Sequence, residues 1–463
     1  MTAVSVSDSL PELAGTFAGP ILRPGDSMYD IARRVHNGLV DKRPAVIAQC
    51  TGVADIVAGV GFARAHGLEV SVRGGGHNVA GRAAVDDGLM IDLSRLKGIH
   101  VEPRSRTVRA QGGVTWGELN RETQLDGLAT TGGIVSTTGI GGLTLGGGLG
   151  YLMGKYGLTI DNLRSMEIVT ADATVITASL EENADLFWAV RGGGGNFGVA
   201  ASFEYQLHPV GPTVMAGLVA HPLEKARDVL RFYRDFGATV PDELTVYAGL
   251  LNAPDGSGMK LAAMVLCHSG PLSDGEAAVR PIKEFGSPIL DLVAPTTYSQ
   301  VNAMLDGDYP RGALNYWKSS FLDTLSDDAI DTMIECTARC PSTMRGAGLI
   351  LEHFHGTATR IPVQESAFPH RREGYSMLIL SQWMDPADSD RCITWARESF
   401  ASMERFRAPT AYINYLGDDS STDTVADAYG SNYQRLRELK AKYDPDNFFH
   451  MNQNIRPLTR RPE

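Results

Sequence analysis

Glycine clustering constrains this chain more than any other feature of its sequence. Its 463 residues include 51 glycines, concentrated in three first-half runs at 74–76, 132–150 and 192–198. Dense glycine outside a repeat marks backbone that must turn sharply or approach something closely. At about 1 kcal/mol per glycine in a helix interior, the run 132–150 predicts a loop, long enough to wrap a large flat ligand. In the first run, Leu68, Val70 and Val72 alternate as a strand that leads directly into Arg73-Gly74-Gly75-Gly76-His77-Asn78. Three glycines after a strand turn several N–H groups to one side, a nest for phosphate oxygens. Arg73 either adds charge to that nest or anchors the loop. No Gly-Lys-Ser/Thr follows, so this is not a P-loop, and the next element is a strand (89–93) rather than a long helix, so it is not a Rossmann turn. Gly193 to Gly198 satisfies GxGxxG, but a helix precedes it and a strand follows, the reverse of the dinucleotide fingerprint. This run is therefore expected to pack against a bound ring or pyrophosphate without binding NAD.

The whole chain has the composition of a water-soluble globular protein, with 43% apolar and 21% charged residues, and its predicted elements make it α+β. A net charge of −12 argues against nucleic acid and anionic membrane as partners. There is no apolar run long enough to span a bilayer, and the N-terminus has no basic or apolar signal region. Five scattered cysteines (50, 267, 336, 340, 392) fit reduced thiols and a cytoplasmic location. Cys336 and Cys340 are spaced for one helical face but lack further ligands, so no metal is expected. Strands are predicted near 45–50, 89–93, 107–110, 165–170 and 203–207, with 175–179 closing a hairpin and a helix at 181–190. After Pro209–Pro212 the glycine clusters stop. Helices at 224–237, 326–339 and 389–405 then alternate with strands at 245–251, 260–267, 347–354 and 376–383, a mostly antiparallel sheet flanked by helices. A helix is expected near 428–441.

Taken in order, RGGGHNVAG, GGIVSTTGIGGLTLGGGLG, RGGGGNFGV, AYINY and YDPDNFF resemble the berberine bridge enzyme-like flavin oxidases of the vanillyl-alcohol oxidase superfamily. The likeness covers nearly the whole chain and is strongest to bacterial members acting on secondary metabolites, sugars or hydroxylated nicotine. It implies a PCMH-type FAD-binding domain (1–207), a substrate domain over a seven-stranded antiparallel sheet (208–408) and a C-terminal segment (409–463) returning to the FAD domain. It also implies a bond from His77 to the 8α-methyl of FAD. Many relatives add a cysteine link where this chain has Val135, so a single covalent link is expected. The residues it places against FAD are Arg73, Gly74, Gly75, Gly76, His77, Asn78, Gly81, Gly133, Val135, Thr138, Gly139, Gly142, Gly148, Gly150, Gly198, Val199, Asn414, Asn452 and Asn454. Thr138 corresponds to a position that influences oxygen access, and a small residue there favours an oxidase.

Oxidising an alcohol or amine needs a hydride acceptor, the flavin, and a base for the departing proton. The resemblance points to Tyr415 as that base, with Tyr412 and Asn414 nearby. If AYINY is a strand, 412 and 414 share a face and 415 takes the other. A phenol has a pKa of about 10, so a base role needs a cationic or hydrogen-bonding neighbour that the sequence does not identify. Candidate substrate contacts are Lys318, in a strand beginning at Tyr316-Trp317, together with Glu352, His353 and Gln382. For Glu352, His353 and His355 the favoured reading is structural, a strand whose polar groups satisfy one another. The expected partners are a small organic molecule and O2, with oligomerisation left open. The alternatives are a dehydrogenase, a tailoring cyclase or oxygenating enzyme of the same family, and a catalytically silent flavin binder.

Overall fold

The computed structural model describes residues 6–253 and 255–458. Three sheets organise the chain. The first has four strands in the order Ile21–Leu22, Val46–Gln49, Leu89–Asp92, Val70–Arg73. Its last three strands are parallel, and the helix Val53–His66 crosses over them. That helix ends where Gly67 adopts φ +63°, a conformation that glycine takes without strain. The strand Val70–Arg73 delivers its C-terminal end straight into the triple-glycine turn.

The second sheet is antiparallel, in the order Ile99–Glu102, Thr107–Gln111, Val199–Gln206, Leu163–Val169, Val175–Ser179. Its last two strands form the expected hairpin. The helix Ala184–Val190 precedes the Gly193–Gly198 turn and the strand Val199–Gln206 follows it, the reversed context read from the sequence.

The third sheet is fully antiparallel and dominates the second half. Its long strands run in the order Thr213–Pro222, Lys260–His268, Leu244–Asn252, Gly348–Phe354, Gly374–Trp383, Leu314–Leu322. The short pieces Leu290–Asp291 and Ala294–Thr297 share the far edge of Thr213–Pro222, a seventh strand broken in two. One face packs an apolar core under the helices Ala226–Gly237, Leu272–Glu284, Asp327–Ala338 and Ser389–Ser402. The other face turns toward the first two sheets.

Four local readings differ from the structure. Residues 413–415 form a 3-10 turn, not a strand, so the period-2 argument about Tyr412 and Tyr415 does not apply. The predicted helix near 428–441 is two helices, Thr422–Tyr429 and Tyr433–Tyr443, broken at Gly430, whose φ is +49°. Within 132–150, a six-residue helix Ile140–Leu145 runs through Gly141 and Gly142. A methyl group on Gly141 would meet the Gly112 carbonyl at 3.4 Å and the Phe203 ring at 3.6 Å, ordinary contacts, so the helix itself does not demand glycine at that position. Cys340 lies beyond the end of the helix carrying Cys336, and all five thiols are free and buried. No helix among the described residues is long and apolar enough to cross a membrane.

Candidate functional site

A cavity of about 1960 Å³, its open mouths included, lies between the first two sheets and the large sheet. The glycine runs build one side of it. Gly75 and Gly139 meet backbone to backbone: a methyl group on Gly75 would sit 2.3 Å from the Gly139 nitrogen, and one on Gly139 would sit 2.3 Å from the Gly75 nitrogen. No side chain can enter that contact, so loops 74–78 and 135–142 act as one surface. A side chain on Gly142 would instead meet nothing within 4 Å, because this face opens into the cavity. The turn at Gly194, Gly195 and Gly198 contributes a third wall.

Arg73 supports this surface from beneath. Its guanidinium grips Asp92 through two bonds, Nε to Oδ1 at 2.9 Å and Nη2 to Oδ2 at 2.5 Å. Asp92 is fully buried and also accepts from Gln49 and Ser94. Burial opposes its ionisation, but the Arg73 charge and these donors outweigh it and hold the carboxyl below its usual range. Arg73 is therefore the anchor of the loop and does not line the cavity.

His77 lies at the end of the triple-glycine turn, on the cavity wall. Its Nε2 is 2.9 Å from the Thr137 hydroxyl, and its Nδ1 is 3.4 Å from the Thr138 hydroxyl. Burial pushes its pKa down to about 3, helped by the neighbouring His36 and Arg311, so the imidazole is neutral at physiological pH. A neutral ring nitrogen keeps the lone pair that bond formation requires.

The large sheet supplies the opposite wall. Alternation along its strands sends Trp317, Ile350, Glu352, Leu378 and Leu380 into the cavity. It sends His353 to the helix side, where the ring stacks on Tyr375 and His355 with centroids 5.2 and 5.1 Å apart. Lys318 also faces away, with its ammonium 2.8 Å from both carboxylate oxygens of Asp419. Gln382 is buried beside Asn315 and does not line the cavity.

The 413–415 turn brings Tyr412, Asn414 and Tyr415 to the same wall. Tyr412 accepts from the Gly148 N–H at 2.9 Å and from Asn414 Nδ2 at 2.8 Å, while Asn414 also donates to the Leu143 carbonyl. Both residues fasten the turn to the glycine-rich loop. Tyr415 instead donates its hydroxyl to Glu352 Oε1 at 2.8 Å. Burial, with Glu352 adding to it, raises the phenol well above its usual pKa, so Tyr415 keeps its proton. Burial also pushes the Glu352 carboxyl up to about 7, with the Tyr415 bond pulling the other way. Glu352 Oε2 is buried without a protein partner. The neighbour of Tyr415 that the sequence did not identify is thus a carboxyl group, and no cation lies in the pair.

The flanking sequences match two family models. Residues 44–179 match the FAD binding domain, and residues 411–456 match the berberine and berberine-like segment. Over 455 residues the chain is 32% identical to (R)-6-hydroxynicotine oxidase of Paenarthrobacter nicotinovorans, covering 95% of this chain and 97% of that one. The chain belongs to the berberine bridge enzyme-like FAD-linked oxidoreductases. An FAD-linked oxidoreductase of Dictyostelium discoideum is 30% identical, with 96% of each chain covered. The crystal structure of 6-hydroxy-D-nicotine oxidase from Arthrobacter nicotinovorans superposes with a TM-score of 0.87 at 29% identity, covering 96% of this chain and 98% of that one.

For a berberine bridge enzyme-like protein the cofactor is FAD, and the cavity fits it. The glycine surface is bare where a flat ring system needs close approach, and Gly142 leaves open space where a side chain would stand. The cavity brings together Gly74, Gly75, Gly76, His77, Asn78, Gly133, Val135, Thr138, Gly139, Gly142, Gly198, Asn414 and Asn452 from the FAD expectation, with Tyr412, Tyr415 and Glu352. It leaves out Gly81, Gly148, Gly150, Val199 and Asn454. Gly81 packs on Val40, Gly148 on Thr159, and Gly150 on the Gly132 carbonyl. Val199 is buried in the neighbouring core. Asn454 Oδ1 is buried without a partner. The Thr138 hydroxyl lies 3.4 Å from His77 Nδ1. Residues 36, 82 and 309 also line the cavity, yet none belongs to a glycine motif, and no local signal marks them.

Proposed function

We propose that this FAD-linked oxidoreductase is an oxidase that holds its flavin through one covalent bond, from His77 to the 8α-methyl, and takes the substrate proton onto Glu352. The observation that carries the reading is the Tyr415–Glu352 pair. Its hydrogen bond is 2.8 Å, Glu352 Oε2 is buried without a hydrogen-bond partner, and Glu352 lines the cavity. When bound, FAD supplies the hydride acceptor and passes the electron pair to molecular oxygen, giving hydrogen peroxide.

The chain's own groups do the rest. Tyr415 fixes one oxygen of the carboxylate and leaves the other to receive a proton from an alcohol or amine. Trp317, Ile350, Leu378 and Leu380 exclude water around it, and this apolar wall suits a small organic body. Val135 stands where a second covalent link would need a thiol, which supports a single attachment. The five free thiols fit a reducing, cytoplasmic setting. The test is anaerobic mixing with a panel of small alcohols and amines. Flavin bleaching should accelerate as pH rises through about 7, where Glu352 ionises, and readmitted air should yield peroxide. A bleaching rate flat across that range removes Glu352 as the base, and reoxidation without peroxide makes the protein a dehydrogenase.

A further inference from the structure

Among the cavity groups that the proposed chemistry does not use, His36 lies directly against the proposed attachment point. His36 lines the cavity and lays its imidazole over that of His77, with centroids 4.0 Å apart and planes 29° from parallel. It is held there from several directions. Its N–H donates to the Gly76 carbonyl at 3.0 Å, and its carbonyl accepts from Gly312 at 2.9 Å. Its Nε2 lies 3.0 Å from the Tyr309 carbonyl. The residues before it are held too, since Arg73 donates to the Ala32 and Arg34 carbonyls and Arg311 donates to Arg34 at 2.7 Å. The anchor of the glycine turn thus also bonds the segment leading to His36, so one guanidinium ties the two segments together.

We propose that His36 is a positioning residue for flavin attachment, its ring face fixing the His77 imidazole in the orientation from which a nitrogen bonds the flavin methyl carbon. The inference rests on the His77 linkage proposed above. Attachment forms one C–N bond. It releases one proton from the methyl group and one from the imidazole, and the electron pair left behind reduces the flavin, which molecular oxygen reoxidises to give peroxide. The imidazole must be neutral, with its lone pair aimed at one carbon. A histidine ring turns broadly about its second torsion, so it needs restraint in its plane and across its face. Thr137 and Thr138 hold it by its edges. A stacked partner adds restraint against tilting across the face, and His36 provides that surface. Prealignment of this kind is a large source of rate in reactions between held groups. The positive charge His36 would carry if protonated also disfavours charge on His77.

The test uses the full chain produced with FAD, as wild type, His36→Ala, His36→Phe and His77→Ala. Each protein is precipitated in acid, and flavin is measured in the pellet and in the supernatant. Wild type and His36→Phe, which keeps an aromatic face, are expected to hold their flavin in the pellet. His36→Ala is expected to bind as much total flavin but to shift it to the supernatant, its covalent share falling about five-fold or more. A merely structural role would lower total flavin and melting temperature together and leave the covalent share unchanged. The proposal is overturned if His36→Ala matches wild type in covalent share, or if His36→Phe falls as far as His36→Ala. Wild-type flavin wholly in the supernatant overturns the His77 linkage itself, whatever the His36 variants do.

Discussion

Glu352 is a carboxyl group that the fold keeps at a cost. Its pKa rises from 4.5 to about 7 on folding because it is buried, so the folded chain binds its proton more tightly than the unfolded chain does. Its contribution to stability is therefore intact below about pH 4.5 and is lost as pH climbs through about 7. Glu352→Gln should leave stability unchanged in acid and raise it above neutrality, by up to about 3 kcal/mol, measured as denaturation midpoints at both pH values. The same change should cut kcat/KM by about 10²–10⁴-fold and erase the rising limb near neutrality, the size expected when a general base is removed. Equal activity in the variant would contradict the assignment. Tyr415→Phe removes the hydrogen bond that favours the carboxylate, so the rising limb should move above 7 by about one unit while substantial activity remains. A limb that stays in place would mean that the phenol does not touch the working form of Glu352.

Among the elements, the glycine loops and the C-terminal latch decide whether the cavity exists. Gly75→Ala or Gly139→Ala places a methyl group 2.3 Å from backbone nitrogen on the facing loop. Neither loop can yield without opening the surface on which His77 stands. Both variants are expected to purify with little flavin and a lowered melting temperature, read from absorbance and thermal unfolding. Gly142→Ala makes the contrast, since it meets only open space in the chain itself and should cost flavin affinity more than fold. The latch is Lys440, completely buried on the last long helix, which donates to Asp444, to the Asn196 carbonyl in the third glycine turn, and to the Phe449 carbonyl. Lys440→Met leaves the buried Asp444 without its partner and should destabilise the protein by about 3–5 kcal/mol in denaturant titrations. A shift under ~1 kcal/mol would show that the C-terminal segment is held by packing alone.

At the scale of the whole molecule, the three glycine runs converge on one cavity, as their density implied, and the large antiparallel sheet forms the facing wall. Those features were legible because glycine crowding and period-2 alternation are local in sequence. Strand phase was not. Tyr316-Trp317-Lys318 shows a strand, but only the fold puts Trp317 in the cavity and ties Lys318 to Asp419. The same ambiguity hid the division of labour between Glu352 and His353 on neighbouring positions of one strand. AYINY suits a strand or a 3-10 turn equally, and its conformation is set by the bonds Tyr412 and Asn414 make to a loop far away in sequence. His36 carries no motif, because its stacking on His77 exists only once both segments are folded. The central claim is the attachment of the flavin, and the mass of the denatured chain tests it most directly. The wild-type chain should weigh one FAD more than its sequence, and His77→Ala should weigh only its sequence. A wild-type chain at its bare mass, with the yellow flavin free in solution, contradicts the account.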